Sequence, residues 1–201
     1  MGYYKYVAET YKGLKNKLKK PENKELRAII SERKQKWREG PATERVERPT
    51  RIDQARKYGY KSKQGFITVR SRIRLGGARK SRPTRGRRPK RMGVLKITRG
   101  KSNQRIAEER ANKKYPNMEV LGSYWVWSDG KYHWYEVVLV DPNHPAVISD
   151  KDVNWITGKQ HRKRALRGLT PAGKRGRGLL HKGKGAEKLR PSIGAHNRKG
   201  K

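Results

Sequence analysis

The residues in this 201-residue sequence that invite a chemical reading are arginines. Arg70, Arg72 and Arg74 stand two apart in an alternating stretch, Phe66 to Leu75, whose other positions include Ile67, Val69, Ile73 and Leu75. On a strand, side chains two apart share one face at a spacing of about 6.6 Å. Three guanidiniums in such a row repel without counter-anions and do not suit a close-packed core. Each can bind a phosphate through two parallel hydrogen bonds. The row therefore reads as a stripe that tracks a phosphate backbone, in preference to a solvated strand face. Residues 76–93 continue the theme: Arg79, Lys80, Arg82, Arg85, Arg87, Arg88, Lys90 and Arg91 stand among Gly and Pro with almost nothing apolar. Such a segment has no core of its own and is expected to order on a partner. Arginine adds planar stacking to charge there.

Catalytic chemistry finds little support. The absence of Cys excludes disulfides, thiolate metal sites and a Cys nucleophile. The histidines, His133, His144, His161, His181 and His196, are scattered without paired-ligand spacing. Gly100-Lys101-Ser102 ends like a phosphate-binding loop, but Leu95 stands where the first glycine is needed. Six acids fall within 115–155: Glu119, Asp129, Glu136, Asp141, Asp150 and Asp152. A metal-dependent nuclease could use such carboxylates. Asp129 is committed to a turn, however, and Asp141 borders Pro142. Internal salt bridges to the basic segments account for the acids better. No enzyme activity, metal, cofactor or small-molecule substrate is expected.

The charge balance names the class of partner. Lys and Arg number 54 against 17 Asp and Glu, a formal net charge of +37 that would oppose compaction unless a polyanion offsets it. The excess is uneven: residues 54–114 carry +20 and residues 156–201 carry +14, whereas 115–155 carry −4. No acid occurs between Asp53 and Glu108. A surface that was merely soluble would mix both signs, so this run reads as a polyanion footprint. No apolar run is long enough to span a membrane, and the start, Met1-Gly2-Tyr3-Tyr4-Lys5, does not resemble a secretory signal. At 32% hydrophobic residues the chain can bury one modest core.

The elements that must position these cations follow from periodicity. Tyr4, Val7, Tyr11, Leu14 and Leu18 make one helical stripe over 3–19, and Leu26, Ile29, Ile30, Arg33 and Trp37 another over 22–38, stopped by Gly40-Pro41. Both stripes are expected to pack on the core. Residues 41–50 look like an extended connector. Thr50 to Asp53 fits a capping-box variant for a short helix closed by Gly59. Ser102 or Asn103 can cap a helix to Tyr115 with a thin face of Ile106, Ala107 and Ala111. Residues 118–128 and 133–140 form a hairpin, for which Asp129-Gly130 predicts a type I′ turn. The acidic segment, with four of the five Trp, is the core, and the basic segments are laid on a partner. The fold class expected is α+β: a small antiparallel sheet with packed helices, a long basic Gly/Arg-rich loop and a basic C-terminal extension. The body spans 1–155 with the loop at 76–93, and the extension spans 156–201.

Three polyanions compete. DNA compaction uses Lys-rich tails and minor-groove Arg. An anionic membrane surface calls for a basic amphipathic helix, which only 3–19 approaches. Folded RNA takes Gly- and Arg-rich extensions held by phosphate and 2′-hydroxyl contacts, and the interleaving of Gly, Arg, Lys and single apolar anchors fits it best.

The stretch Arg51 to Gly77, including Gln54-Ala55-Arg56-Lys57-Tyr58-Gly59-Tyr60 and Phe66-Ile67-Thr68-Val69-Arg70-Ser71-Arg72, closely resembles the signature of the archaeal and eukaryotic large-subunit ribosomal protein family "fifteen-e". Met1-Gly2-Tyr3-Tyr4-Lys5-Tyr6, Leu121-Gly122-Ser123-Tyr124-Trp125-Val126, Tyr135 to Pro142, Asn154-Trp155-Ile156 and Arg167-Gly168-Leu169-Thr170 are similar to the family as well. The resemblance runs in order over nearly the whole chain. It implies a non-enzymatic constituent of the large subunit of cytoplasmic ribosomes, with rRNA and neighbouring large-subunit proteins as partners and no cofactor. The cations expected to meet rRNA are Lys61, Lys63, Arg70, Arg72, Arg74, Arg79, Lys80, Arg82, Arg85, Arg87, Arg88, Lys90, Arg91, Arg99 and Lys101, then Arg162, Lys163, Arg164, Arg167, Lys174, Arg175 and Arg177.

Overall fold

The computed structural model describes residues 2–77, 80–181, 187 and 189. The predicted hairpin forms one side of the sheet: β3 (Glu119–Ser128) and β4 (Tyr132–Val140) pair antiparallel. β2 (Phe66–Arg74) pairs with the other edge of β4, and β1 (Thr43–Val46) adds to β2. The open antiparallel sheet runs β1-β2-β4-β3, and with its helices it gives the α+β class expected. Two local expectations are corrected. Residues 41–50 are not a plain connector, because Thr43 to Val46 form the edge strand, with Pro41 and Pro49 flanking it rather than interrupting it. The turn is not type I′, because neither Asp129 nor Gly130 has a positive φ. Instead Asp129 Oδ1 accepts the N–H groups of Lys131 (2.7 Å) and Tyr132 (2.6 Å), an Asx-type closure.

Both faces of the sheet are covered. On one, Val69, Ile73, Val120, Val137 and Leu139 meet Ala107 and Ala111 of α5 (Asn103–Lys114). The small alanines let that helix lie close. Ser102 caps it, its hydroxyl accepting the N–H of Arg105. On the other face, Tyr124, Trp127, Trp134, Val138 and Val140 join Leu14 of α2 (Leu14–Lys17) and Ala55 of α4 (Ile52–Lys57). Double coverage explains why β3 and β4 are buried almost throughout rather than alternately. Gly122 allows the closest approach, since a Cβ there would stand 2.4 Å from the Tyr58 ring.

The single helix expected over 3–19 is broken. α1 (Tyr3–Tyr11) ends before Gly13, whose φ of 68° starts α2 in a new direction. The second stripe holds in part. Leu26, Ile30 and Trp37 of α3 (Lys24–Glu39) pack against the core, whereas Ile29 is exposed. α4 forms as expected and ends at Gly59 with φ 83°. Thr50 does not cap it; its hydroxyl is used elsewhere.

Packing continues past residue 155, where the sequence reading ends the body. Ile156, Arg164, Ala165, Thr170 and Ala172 are buried, and Ala165 belongs to the cluster beneath α5. α6 (Pro145–Ile148) follows β4, and α7 (Pro171–Gly176) starts at Thr170, whose hydroxyl accepts the N–H of Gly173. Much of the predicted extension beyond Leu180 lies outside the described residues.

Candidate nucleic-acid interface

The arginine row of β2 has an internal occupation. Strand pairing puts Glu44, Arg70, Glu136 and Tyr124 opposite one another across all four strands. Arg70 donates to Glu44 Oε2 at 3.1 Å, and its guanidinium lies 4.6 Å from the centre of the Trp37 ring. Arg72 donates to the carbonyls of Trp37 and Arg38 and stacks 4.8 Å over Tyr132. Two guanidiniums at strand spacing repel by about 2.5 kcal/mol at an effective dielectric of 20. A carboxylate and two aromatic faces, each nearer than the like charge, offset that. The expectation that such a row resists close packing is therefore corrected for Arg70 and Arg72; of the three, Arg74 is exposed, and its side chain has no hydrogen-bond or ion-pair partner among the described residues.

Glu136, at the centre of that line, is fully buried. Its carboxylate accepts the Thr50 N–H (3.0 Å), the Thr50 hydroxyl (2.6 Å) and the Tyr124 hydroxyl (2.7 Å). Burial pushes the Glu136 carboxyl above its usual range, and the three donors and Arg70 pull the other way. The Tyr124 phenol is pushed up by burial and by the neighbouring carboxylate. Thr50 is drawn off its predicted capping role by this carboxylate.

Sequence reasoning missed a second buried carboxylate. Glu108 accepts the hydroxyls of Ser123 (2.6 Å) and Thr170 (2.5 Å), fastening α5 to β3 and to the start of α7. Burial raises its pKa, against the hydrogen bonds and nearby Arg164. The available signal was spacing: Gln104, Glu108 and Asn112 fall four apart beside Ala111. All three bond into β3 or its approach, Gln104 to Ser123 and Asn112 to the Met118 carbonyl.

The six central acids are only partly explained by salt bridges. Asp129 pairs with Arg38, Asp150 with Lys61 and Lys63, and Asp152 with Lys61. Glu119 instead accepts the backbone N–H groups of Lys163 and Arg164, Glu136 the donors above, and Asp141 the N–H of Asn143. The hydrogen bonds from Lys61 and Lys63 hold the Asp150 carboxyl far below the carboxylate range. His144 accepts the Ala146 N–H as a turn residue.

The predicted interface cations thus divide. Lys61, Lys63, Arg70, Arg72, Arg99, Lys101, Arg164, Arg167 and Arg177 are engaged within the protein by carboxylates, an amide or carbonyl oxygens. Arg82, Arg85, Arg87, Arg88, Lys90 and Arg91 are exposed, and their side chains make no hydrogen bond or ion pair among the described residues. Half-buried Lys80 likewise has no such partner, and Pro89–Arg91 adds one 3₁₀ turn. Leu95, 98% exposed, is an apolar anchor with nothing to pack on. Arg79 lies outside the described residues. A second exposed group comprises Arg162, Lys163, Lys174 and Arg175. Nearby, burial and the cations Arg164, Arg167 and Lys174 press the His161 imidazole below its ordinary value. The two exposed groups have the chemistry to hold phosphates: clustered cations whose side chains have no ion-pair partner among the described residues.

A family model described as Ribosomal L15, of the L15e type, matches residues 2–196. The chain belongs to the L15e family of ribosomal proteins. One curated relative, large ribosomal subunit protein eL15 of Methanocella arvoryzae, is 53% identical over 195 residues, covering 97% of this chain and 100% of that protein. An L15e protein is a component of a ribonucleoprotein particle that serves translation, and it is not an enzyme. The stretch 51–77 that carries the family resemblance turns out to hold α4, its following loop and β2. Much of that stretch is scaffold, with Lys61, Lys63, Arg70 and Arg72 tied to other parts of the same chain.

Proposed function

We propose that this protein is a structural constituent of the large ribosomal subunit that binds folded rRNA and joins separate RNA segments. The basic loop of 76–93 lies along one segment, and the surface at 162–175 meets another. Neighbouring large-subunit proteins complete its surroundings in the cytoplasmic ribosome. One observation carries the reading: the cations from Arg82 to Arg91 are exposed, and unpaired among the described residues, in a stretch of chain without acids. Like charges held together in this way need an external polyanion, and a ribosomal protein has rRNA at hand. Linking two RNA segments through one rigid body makes the second contact effectively intramolecular, so losing either surface weakens assembly strongly.

The test is a sucrose-gradient fractionation of native lysate with nuclease controls and a high-salt wash. Stoichiometric, wash-resistant presence in the large subunit is the expected result. Recovery in chromatin or in free fractions would overturn the reading.

A further inference from the structure

Beside the second exposed group, an open cavity of about 350 Å³ lies between α4, the segment after α6 and α7. Tyr58 and Trp155 supply aromatic walls, exposed Lys57 and Lys174 lie at its rim, and Arg164 lines its buried side. Arg164 explains how the cavity is held. The β3 bulge at Leu121 frees carbonyls from the ladder, and Arg164 donates to those of Val120 and Leu121. Its guanidinium also stacks 4.9 Å over Trp155. Yet Arg164 Nε, on a residue only 7% exposed, has no acceptor among the described residues. That N–H has almost no accessible surface, so it lies behind the cavity wall rather than in the cavity. Trp155 itself remains 42% exposed, although its Nε1 is fixed by the Asp152 carbonyl. Asp152 is the one acid lining the cavity, and its carboxylate is already paired with Lys61 at 2.7 Å. The cavity is thus aromatic and cationic.

We propose that it receives a single unstacked nucleotide of the rRNA, the base between Trp155 and Tyr58 and the phosphate between Lys57 and Lys174. This rests on the rRNA-binding reading above and narrows it to one site. A free phosphate would use the lysines but leave the aromatic walls idle. An unstacked nucleotide presents a flat base to the aromatic walls and a phosphate to the lysines, which uses both features of the cavity.

The full-length protein bound to purified large-subunit rRNA is irradiated with ultraviolet light, and the crosslinked residues are mapped. Trp155 or Tyr58 joined to one nucleotide is expected. Lys57→Ala with Lys174→Ala, both on exposed side chains, weakens binding about tenfold at unchanged Tm. Trp155→Leu keeps apolar bulk over Arg164 but loses the crosslink and about tenfold in affinity, while Trp155→Phe stays within about threefold. Circular dichroism confirms that each variant is folded. Crosslinks confined to other segments, with the lysine variant within twofold of wild type, would overturn the nucleotide site and leave rRNA binding intact. Coupling of Lys57 or Lys174 to a carboxylate of a neighbouring protein in assembled subunits would likewise overturn it. Absence of any rRNA binding by the wild-type chain would instead sink the broader reading.

Discussion

The β2 row and the loop after it are two arginine-rich segments a few residues apart, and the fold treats them oppositely. Arg70 and Arg72 are held between a carboxylate, backbone carbonyls and aromatic faces. Arg82, Arg85, Arg87 and Arg88 have none of these among the described residues. Arginine density alone therefore does not identify a nucleic-acid surface. The deciding quantity is the supply of acceptors that the tertiary structure brings within reach. Where Glu44, Trp37 and Tyr132 converge, cations become scaffold; where nothing converges, they remain available to a polyanion.

Three replacements by alanine probe that contrast, ordered by their expected effect on the folded protein, with Glu136→Gln as the control for the first. Glu136→Ala strands two hydroxyl donors and one N–H in a dry site and removes the counter-charge beside Arg70. It should cost about 3–5 kcal/mol, read by denaturant unfolding. Glu136→Gln isolates the charge from the hydrogen bonds. The amide oxygen can accept from the Thr50 N–H and Tyr124, while its NH₂ donates to the Thr50 hydroxyl. Stability at neutral pH should then change by no more than about 1 kcal/mol. The pH profile supplies the sign. A carboxyl raised in the folded state stays protonated after its unfolded counterpart ionises, so stability falls as pH rises above the ordinary value of 4.5. Glu136→Gln should flatten that fall, leaving the contribution of Glu108, which has the same direction. An unchanged slope would mean that Glu136 ionises in the folded protein without penalty. At the acid end, Asp129 and Asp150 are held low, so their contribution is lost as pH drops through and below the usual carboxylate range.

Arg70→Ala comes next. It exposes one face of Trp37 and leaves Glu44 without its cation, at an expected cost of about 2–3 kcal/mol. A variant as stable as wild type would return the row to the surface class. Replacing Arg85, Arg87 and Arg88 together with Ala should change stability by less than about 0.5 kcal/mol. The same triple variant should lower rRNA affinity and reduce the slope of log K against log salt by about 2–3. Wild-type affinity and slope would remove the loop from the interface. Loss of stability would show that it packs on the body.

Much of the scaffold was legible in the sequence because it rests on local rules. Alternation from 118 to 140 around Asp129-Gly130 marked the hairpin, Gly59 marked the end of α4, and Ser102 marked the start of α5. The misreadings arose where a distant residue overrode a local preference. Thr50 had the right type to cap a helix, but a buried carboxylate 86 positions away takes its hydroxyl. Residues 43–46 form a strand because the edge of β2 was open, a fact about another segment. Asp129 and Gly130 reached a hairpin by a different turn because the Asp129 carboxylate gathers two backbone donors and Arg38.

The candidate site divides in the same way. Composition by itself determined the partner class: a formal net charge of +37 and a long acid-free run are counted from the residue types and hold whatever the fold. Which cations are available to that partner is a property of the tertiary structure alone. An arginine is available or spent according to the carboxylates, carbonyls and rings placed against it, and those come from residues as distant as Val120 for Arg164 or Glu44 for Arg70. Sequence counts the charges, and only the folded chain pairs them, because hydrogen bonds and ion pairs act over a few ångströms of space rather than along the chain.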